Sequence, residues 1–95
     1  MKNTIQAVNF DMAQHLEQYI EKKTRRYNKL LPETAEMNIR MTVVKPETNL
    51  NKETQIRILG LGTELFAEKT CDTFEQGIDL CLEALDRQVE KLKDR

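Results

Sequence analysis

Residues 54–69, TQIRILGLGTELFAEK, decide how this sequence folds. Ile56 and Ile58 alternate with Gln55 and Arg57, the period-two pattern of a strand with one buried face. Gly60-Leu61-Gly62 then supplies residues that tolerate positive φ, as a tight turn requires. Leu65 and Ala67 resume the alternation within Glu64–Lys69. The stretch therefore predicts a hairpin, with a third strand over Thr54–Leu61 and a short fourth strand after the turn. Its two glycines are not a nucleotide loop, because the third glycine of the dinucleotide fingerprint is missing and a strand follows where that motif needs a helix.

Working upstream, Ile39, Met41 and Val43 alternate with Asn38, Arg40 and Thr42, so Met37–Lys45 reads as strand two and Pro46–Lys52 as a loop. Met12, Leu16, Tyr19, Ile20, Tyr27, Leu30 and Leu31 recur at helical spacing behind Asp11, a residue able to cap the first turn. Pro32 cannot continue a helix, so the first helix is expected over Met12–Leu30. Thr4–Val8 alternates as strand one. Downstream, Asp72 or Thr73 stands as a cap before Phe74, Ile78, Cys81, Leu82, Leu85, Val89 and Leu92, the stripe of a long amphipathic helix. The order β-α-β-β-β-α defines an α+β fold: strands two to four form an antiparallel meander, and strand one joins through its helix. Each helix carries one apolar stripe, so both should pack on one face of a four-stranded sheet. The other face, with Thr4, Gln6, Arg40, Thr42, Gln55 and Arg57, is left open.

At 95 residues, 39% hydrophobic and 33% charged, the chain has the composition of one globular domain, 1–95, without room for a deep cleft between lobes. No apolar run approaches the ~20 residues of a membrane span and no secretory signal opens the chain, so a cytoplasmic protein is expected. Cys71 and Cys81 match neither a zinc pattern nor a disulfide framework and are expected as buried or semi-buried free thiols. His15, the sole histidine, sits at a surface position of the first helix. With no nucleophile beside a base and no ligand cluster, the sequence predicts no enzyme, no cofactor, no metal and no small-molecule substrate.

The formal net charge is −1, so any attraction to nucleic acid must come from the distribution of charge. Lys22, Lys23, Arg25, Arg26 and Lys29 crowd the end of the first helix, with Lys23 near the edge of its apolar stripe. Arg87, Lys91 and Arg95 form a second, shorter basic stripe. Asp79, Glu83, Asp86 and Glu90 repeat at helical spacing on the last helix and read as a solvated face. Two basic stripes on one side of a sheet could track a folded RNA backbone by shape.

Several stretches carry a resemblance over the whole chain: Asp11 after the opening strand, Tyr19-Ile20-Glu21-Lys22-Lys23 with Arg26 and Lys29, Phe74, Ile78-Asp79, and Leu85-Asp86-Arg87-Gln88-Val89 with Lys91-Leu92-Lys93. The chain resembles the ribosome hibernation promoting factors, also described as ribosome-associated translation inhibitors or sigma-54 modulation proteins, in their short form. It departs from the family pattern at Thr24, at Ala84 and in the lead Asp72-Thr73-Phe74. The resemblance implies a double-stranded-RNA-binding-domain-like fold that docks on the small ribosomal subunit, contacts 16S ribosomal RNA in the messenger and transfer RNA channel, and blocks translation in stationary phase. It also implies RNA contacts by Lys23, Arg26, Lys29, Arg87, Lys91 and Lys93, and more weakly by Lys45; Lys22 and Arg25 join them on charge. Ending at Arg95, the chain is expected to lack the C-terminal dimerisation domain of long-form relatives. The competing expectation is a protein-interaction or regulatory module that uses the open sheet face.

Overall fold

The structure, a computed structural model, describes residues 1–44 and 50–93, without the side chain of Lys93. The hairpin read from residues 54–69 is present: β3 (Lys52–Leu59) and β4 (Leu65–Cys71) are antiparallel, with Ile58 opposite Leu65 and Ile56 opposite Ala67. Gly60 and Gly62 take φ of 96° and 81°. At Gly60 a Cβ would also lie 2.8 Å from the Thr34 carbonyl oxygen, so the turn admits glycine there on two counts.

β2 (Glu36–Val43) lies antiparallel to β3, and β1 (Lys2–Val8) lies parallel to β2, giving the sheet order β1-β2-β3-β4. A parallel neighbour requires a crossover, which α1 (Gln14–Thr24) and a one-turn continuation, α2 (Tyr27–Leu30), provide. The last helix, α3 (Phe74–Lys93), returns from β4. β1 and β4 point the same way, so both helical arms run back against them and therefore parallel to each other. Both pack on one sheet face. Ile20 and Tyr27 from the first arm and Ile78, Cys81 and Leu85 from α3 meet Met37, Ile39, Met41, Ile56 and Ile58, all 0–1% exposed. Each large apolar side chain so buried contributes ~1.5–3 kcal/mol.

Strand edges differ from the expected bounds by at most two residues, and the expected end of strand two at Lys45 falls outside the described residues, as does most of the loop that follows. Two local expectations are corrected. Asp11 does not cap the first helix, which starts at Gln14 behind Ala13 with no side-chain cap. Asn9 turns the chain at φ 68°, and the next residues pack apolar side chains, Phe10 stacking on Phe74 at 4.6 Å. Nor does the helix run unbroken to Leu30. Thr24, buried at 1% exposure, donates its hydroxyl to the Ile20 carbonyl at 2.8 Å, a back-bond that disturbs the ladder. The chain tightens at Arg25–Arg26, where the Asn28 and Lys29 amides donate three residues back.

The cap of α3 is as read, with Thr73 Oγ1 accepting from the Gln76 amide at 3.2 Å. Both cysteines are buried and free. Burial, together with the charge of Cys71, pushes the Cys81 thiol up to about 12, so it stays protonated and inert at neutral pH.

Candidate nucleic-acid interface

Parallel packing fixes which helix faces meet. At ~100° per residue, Lys23 and Arg26 lie on the side of the first arm that faces α3, whereas Lys22, Arg25 and Lys29 point away from the core. On α3, Asp79 and Asp86 face back. The acidic row is therefore not simply a solvated face: two of its four members close the seam between the helices, while Glu83 and Glu90 remain exposed.

The seam repeats one arrangement twice. Tyr19 donates its hydroxyl to Asp79, whose oxygens lie at 2.7 and 2.8 Å, and Lys23 approaches the same carboxylate at 3.7 Å. Further along, Tyr27 donates to Asp86, which Arg26 holds at 2.8 Å. Each cation also lies over its tyrosine ring, Lys23 at 5.4 Å and Arg26 at 4.8 Å from the centroid. Both ion pairs are about half exposed and stabilise little, under ~1 kcal/mol each. Their main effect is on charge: Lys23 and Arg26 are already neutralised locally.

Burial and the Asp79 hydrogen bond push the Tyr19 phenol up to about 12; burial and Asp86 push Tyr27 higher still. A raised folded pKa means stability that is complete below the ordinary tyrosine value of ~10 and lost as pH rises through the folded values. With two tyrosines and no tryptophan in the chain, tyrosinate absorbance reads this cleanly. The native protein is expected to show almost no tyrosinate at pH 10.5, and Tyr27→Phe is expected to flatten the alkaline loss of stability while costing about 1–2 kcal/mol at neutral pH. Ordinary titration of both phenols in the folded state would contradict the seam.

Lys22, Arg25, Lys29, Arg87 and Lys91 are exposed and form no ion pair among the described residues. The first three make one outward patch on the first arm. Arg87 and Lys91 lie on the flank of α3 away from the seam, so an acidic ridge separates the two groups. The backbone of Lys93 ends α3, and Lys45 lies outside the described residues. His15 is exposed. Among the described residues there is no group of three or more potential metal ligands and no helix long and apolar enough to cross a membrane.

Sequence reasoning took Tyr19 and Tyr27 as members of an apolar stripe and missed their hydroxyl bonds. The trace was there in the near-equal spacing of the tyrosine pair and of Asp79 and Asp86. Gln88, part of the stretch that carries the resemblance, has a role that no sequence pattern reveals. In the fold its amide donates to the Phe66 carbonyl at 2.9 Å and accepts from the Phe66 amide at 3.3 Å, covering the outer edge of β4 where another strand could add.

A four-stranded sheet backed on one face by two parallel helical arms, with a cationic outer surface on the first, defines a class of small α+β folds. Residues 4–95 match the sequence pattern of the family described as sigma 54 modulation protein / S30EA ribosomal protein, and the chain belongs to that family. Its fold is similar to that of a ribosomal subunit interface protein from Coxiella burnetii, with a TM-score of 0.81, 20% identity and complete coverage of both chains. It is also similar to the N-terminal domain of Thermus thermophilus Protein Y, at a TM-score of 0.76 and 16% identity over 96% of this chain and 98% of that one.

Proposed function

We propose that this chain is a non-enzymatic ribosome hibernation factor: it binds the small ribosomal subunit in the cytoplasm, occupies the messenger and transfer RNA channel against 16S ribosomal RNA, and so inhibits translation. The observation that carries the reading is the patch of Lys22, Arg25 and Lys29 on the first helical arm of a family member, exposed and without acidic partners among the described residues. Three cations spaced three and four residues apart along the first arm, from α1 across the break into α2, can follow a phosphate backbone by shape, without reading bases. Arg87 and Lys91, with Lys93 and Lys45, extend the contact around the domain. Lys23 and Arg26 act mainly through the seam, where their positions are set by Asp79 and Asp86.

The test is competition on isolated small subunits. Saturating protein is expected to block initiator transfer RNA and messenger binding and to lower translation in a purified system in proportion to occupancy. Simultaneous binding of all three ligands would contradict the proposed place on the subunit.

A further inference from the structure

The sheet face opposite the helices is more than an uncovered surface. Its cross-strand neighbours form two rows, Gln6–Arg40–Gln55–Glu68 and Thr4–Asn38–Arg57–Phe66, set side by side by the register. Between them lies an open trough of about 410 Å³, lined by both arginines, Phe66 and three side-chain amides. No carboxylate lines it. Glu64 pairs with Arg57, and Glu68 accepts from the Gln55 amide at 3.3 Å; both stand outside the trough and hold residues that line it. Arg40, on the second of the four strands, is exposed and has no ion pair among the described residues. Phe66 is 39% exposed although aromatic, its backbone is fixed by Gln88, and the Arg57 guanidinium lies 5.3 Å from its ring centroid.

These groups suit one kind of ligand. Arg40, exposed and without an acidic partner among the described residues, favours an anion, while the Arg57 charge is offset by Glu64 and its guanidinium serves as a flat surface. An aromatic ring beside a guanidinium offers a stacking platform for a base, and amides at fixed spacing can bond base edges. A duplex buries its base faces and cannot use such a platform. We propose that the open sheet face is a second nucleic-acid site, which takes a short single-stranded RNA segment: a base stacks against Phe66 and Arg57, a phosphate meets Arg40, and Gln6, Asn38 and Gln55 bond the base edges or sugar. The site is independent of the cationic patch on the first arm, and it stands or falls separately from ribosome binding.

The experiment is a titration of the isotopically labelled full chain with pentauridylate, followed by backbone amide shifts, at near-physiological salt. Shifts are expected at the outward positions of β1 to β4, with little change along the first arm. Arg40→Gln and Phe66→Leu, both at exposed positions and checked for native shifts elsewhere, are each expected to weaken binding roughly tenfold. Lys22→Glu with Arg25→Glu and Lys29→Glu is expected to leave it within about twofold. No shifts at millimolar RNA, shifts confined to the helices, or affinity indifferent to both sheet substitutions would overturn the proposal. So would displacement of the RNA by an equal concentration of pentaglutamate, which would make the face a site for acidic protein segments.

Discussion

Reversing three charges, Lys22→Glu, Arg25→Glu and Lys29→Glu together, is expected to weaken binding to the small ribosomal subunit at least about 100-fold at moderate salt while leaving the fold intact. Each of these side chains is exposed and outside the seam. Replacing a cation that meets a phosphate with a carboxylate removes a charge-assisted contact and adds a repulsion. The effect on stability is small, because the three already repel one another at three- and four-residue spacing and glutamates would do the same. Melting is expected to shift by a few degrees at most. Neutralising Lys23 or Arg26 tests the same logic from the other side. Asp79 and Asp86 already offset these charges, so glutamine at either position should weaken binding less than at Lys29. Asp79→Asn should strengthen RNA binding at low salt by releasing Lys23. Greater sensitivity at Lys23 and Arg26 than at the outward patch would mean that the seam opens when RNA binds.

Gly77→Ala is expected to destabilise the protein by about 1–3 kcal/mol, although alanine is the better helix former by ~1 kcal/mol. Gly77 is buried in the first turns of α3, directly over Thr54 on β3, and a Cβ there would stand 2.5 Å from Thr54 Oγ1 and 3.1 Å from Thr54 Cβ. Thr54 is 0% exposed, β-branched and enclosed, so it cannot move aside as a long surface side chain would. Its hydroxyl has no hydrogen-bond partner among the described residues, which makes the contact separable: Thr54→Ala removes the clashing oxygen without breaking a described bond. In that background Gly77→Ala should cost little or stabilise. A thermal-melt double-mutant cycle should therefore show a coupling of about 2 kcal/mol, seen as roughly 8–16 °C of recovered melting temperature. Additive effects would mean that α3 does not approach β3 as closely as described.

The sheet was legible because its signal is local. Ile56 and Ile58 alternate with polar neighbours, two glycines follow, and the period-two pattern survives any arrangement of the helices. Thr73 was legible as a cap for the same reason. Asp11 was misread because the chain turns at Asn9 through a positive φ that no hydrophobic pattern encodes. The charges were least legible. Whether Asp79 and Asp86 face solvent or Lys23 and Arg26 depends on the rotation of α3 against the first arm, a tertiary fact set by parallel packing and by the close approach at Gly77. Much of what makes the sequence resemble its family thus lies in residues that join the helices and guard the sheet edge: Tyr19, Asp79, Asp86 and Gln88. Lys22 and Arg25 read on local charge alone, and Lys29 on charge together with the resemblance.

The most direct test of ribosome binding through this cationic surface is co-sedimentation of the protein with purified small subunits across a salt series. Saturable one-to-one binding is expected, with a log–log salt slope near −4, about 0.7–0.9 for each of the five exposed cations Lys22, Arg25, Lys29, Arg87 and Lys91. The slope should become shallower by two or more units in the variant with the first three reversed. Absence of binding at low salt, or binding with a slope that these substitutions leave unchanged, would contradict the account.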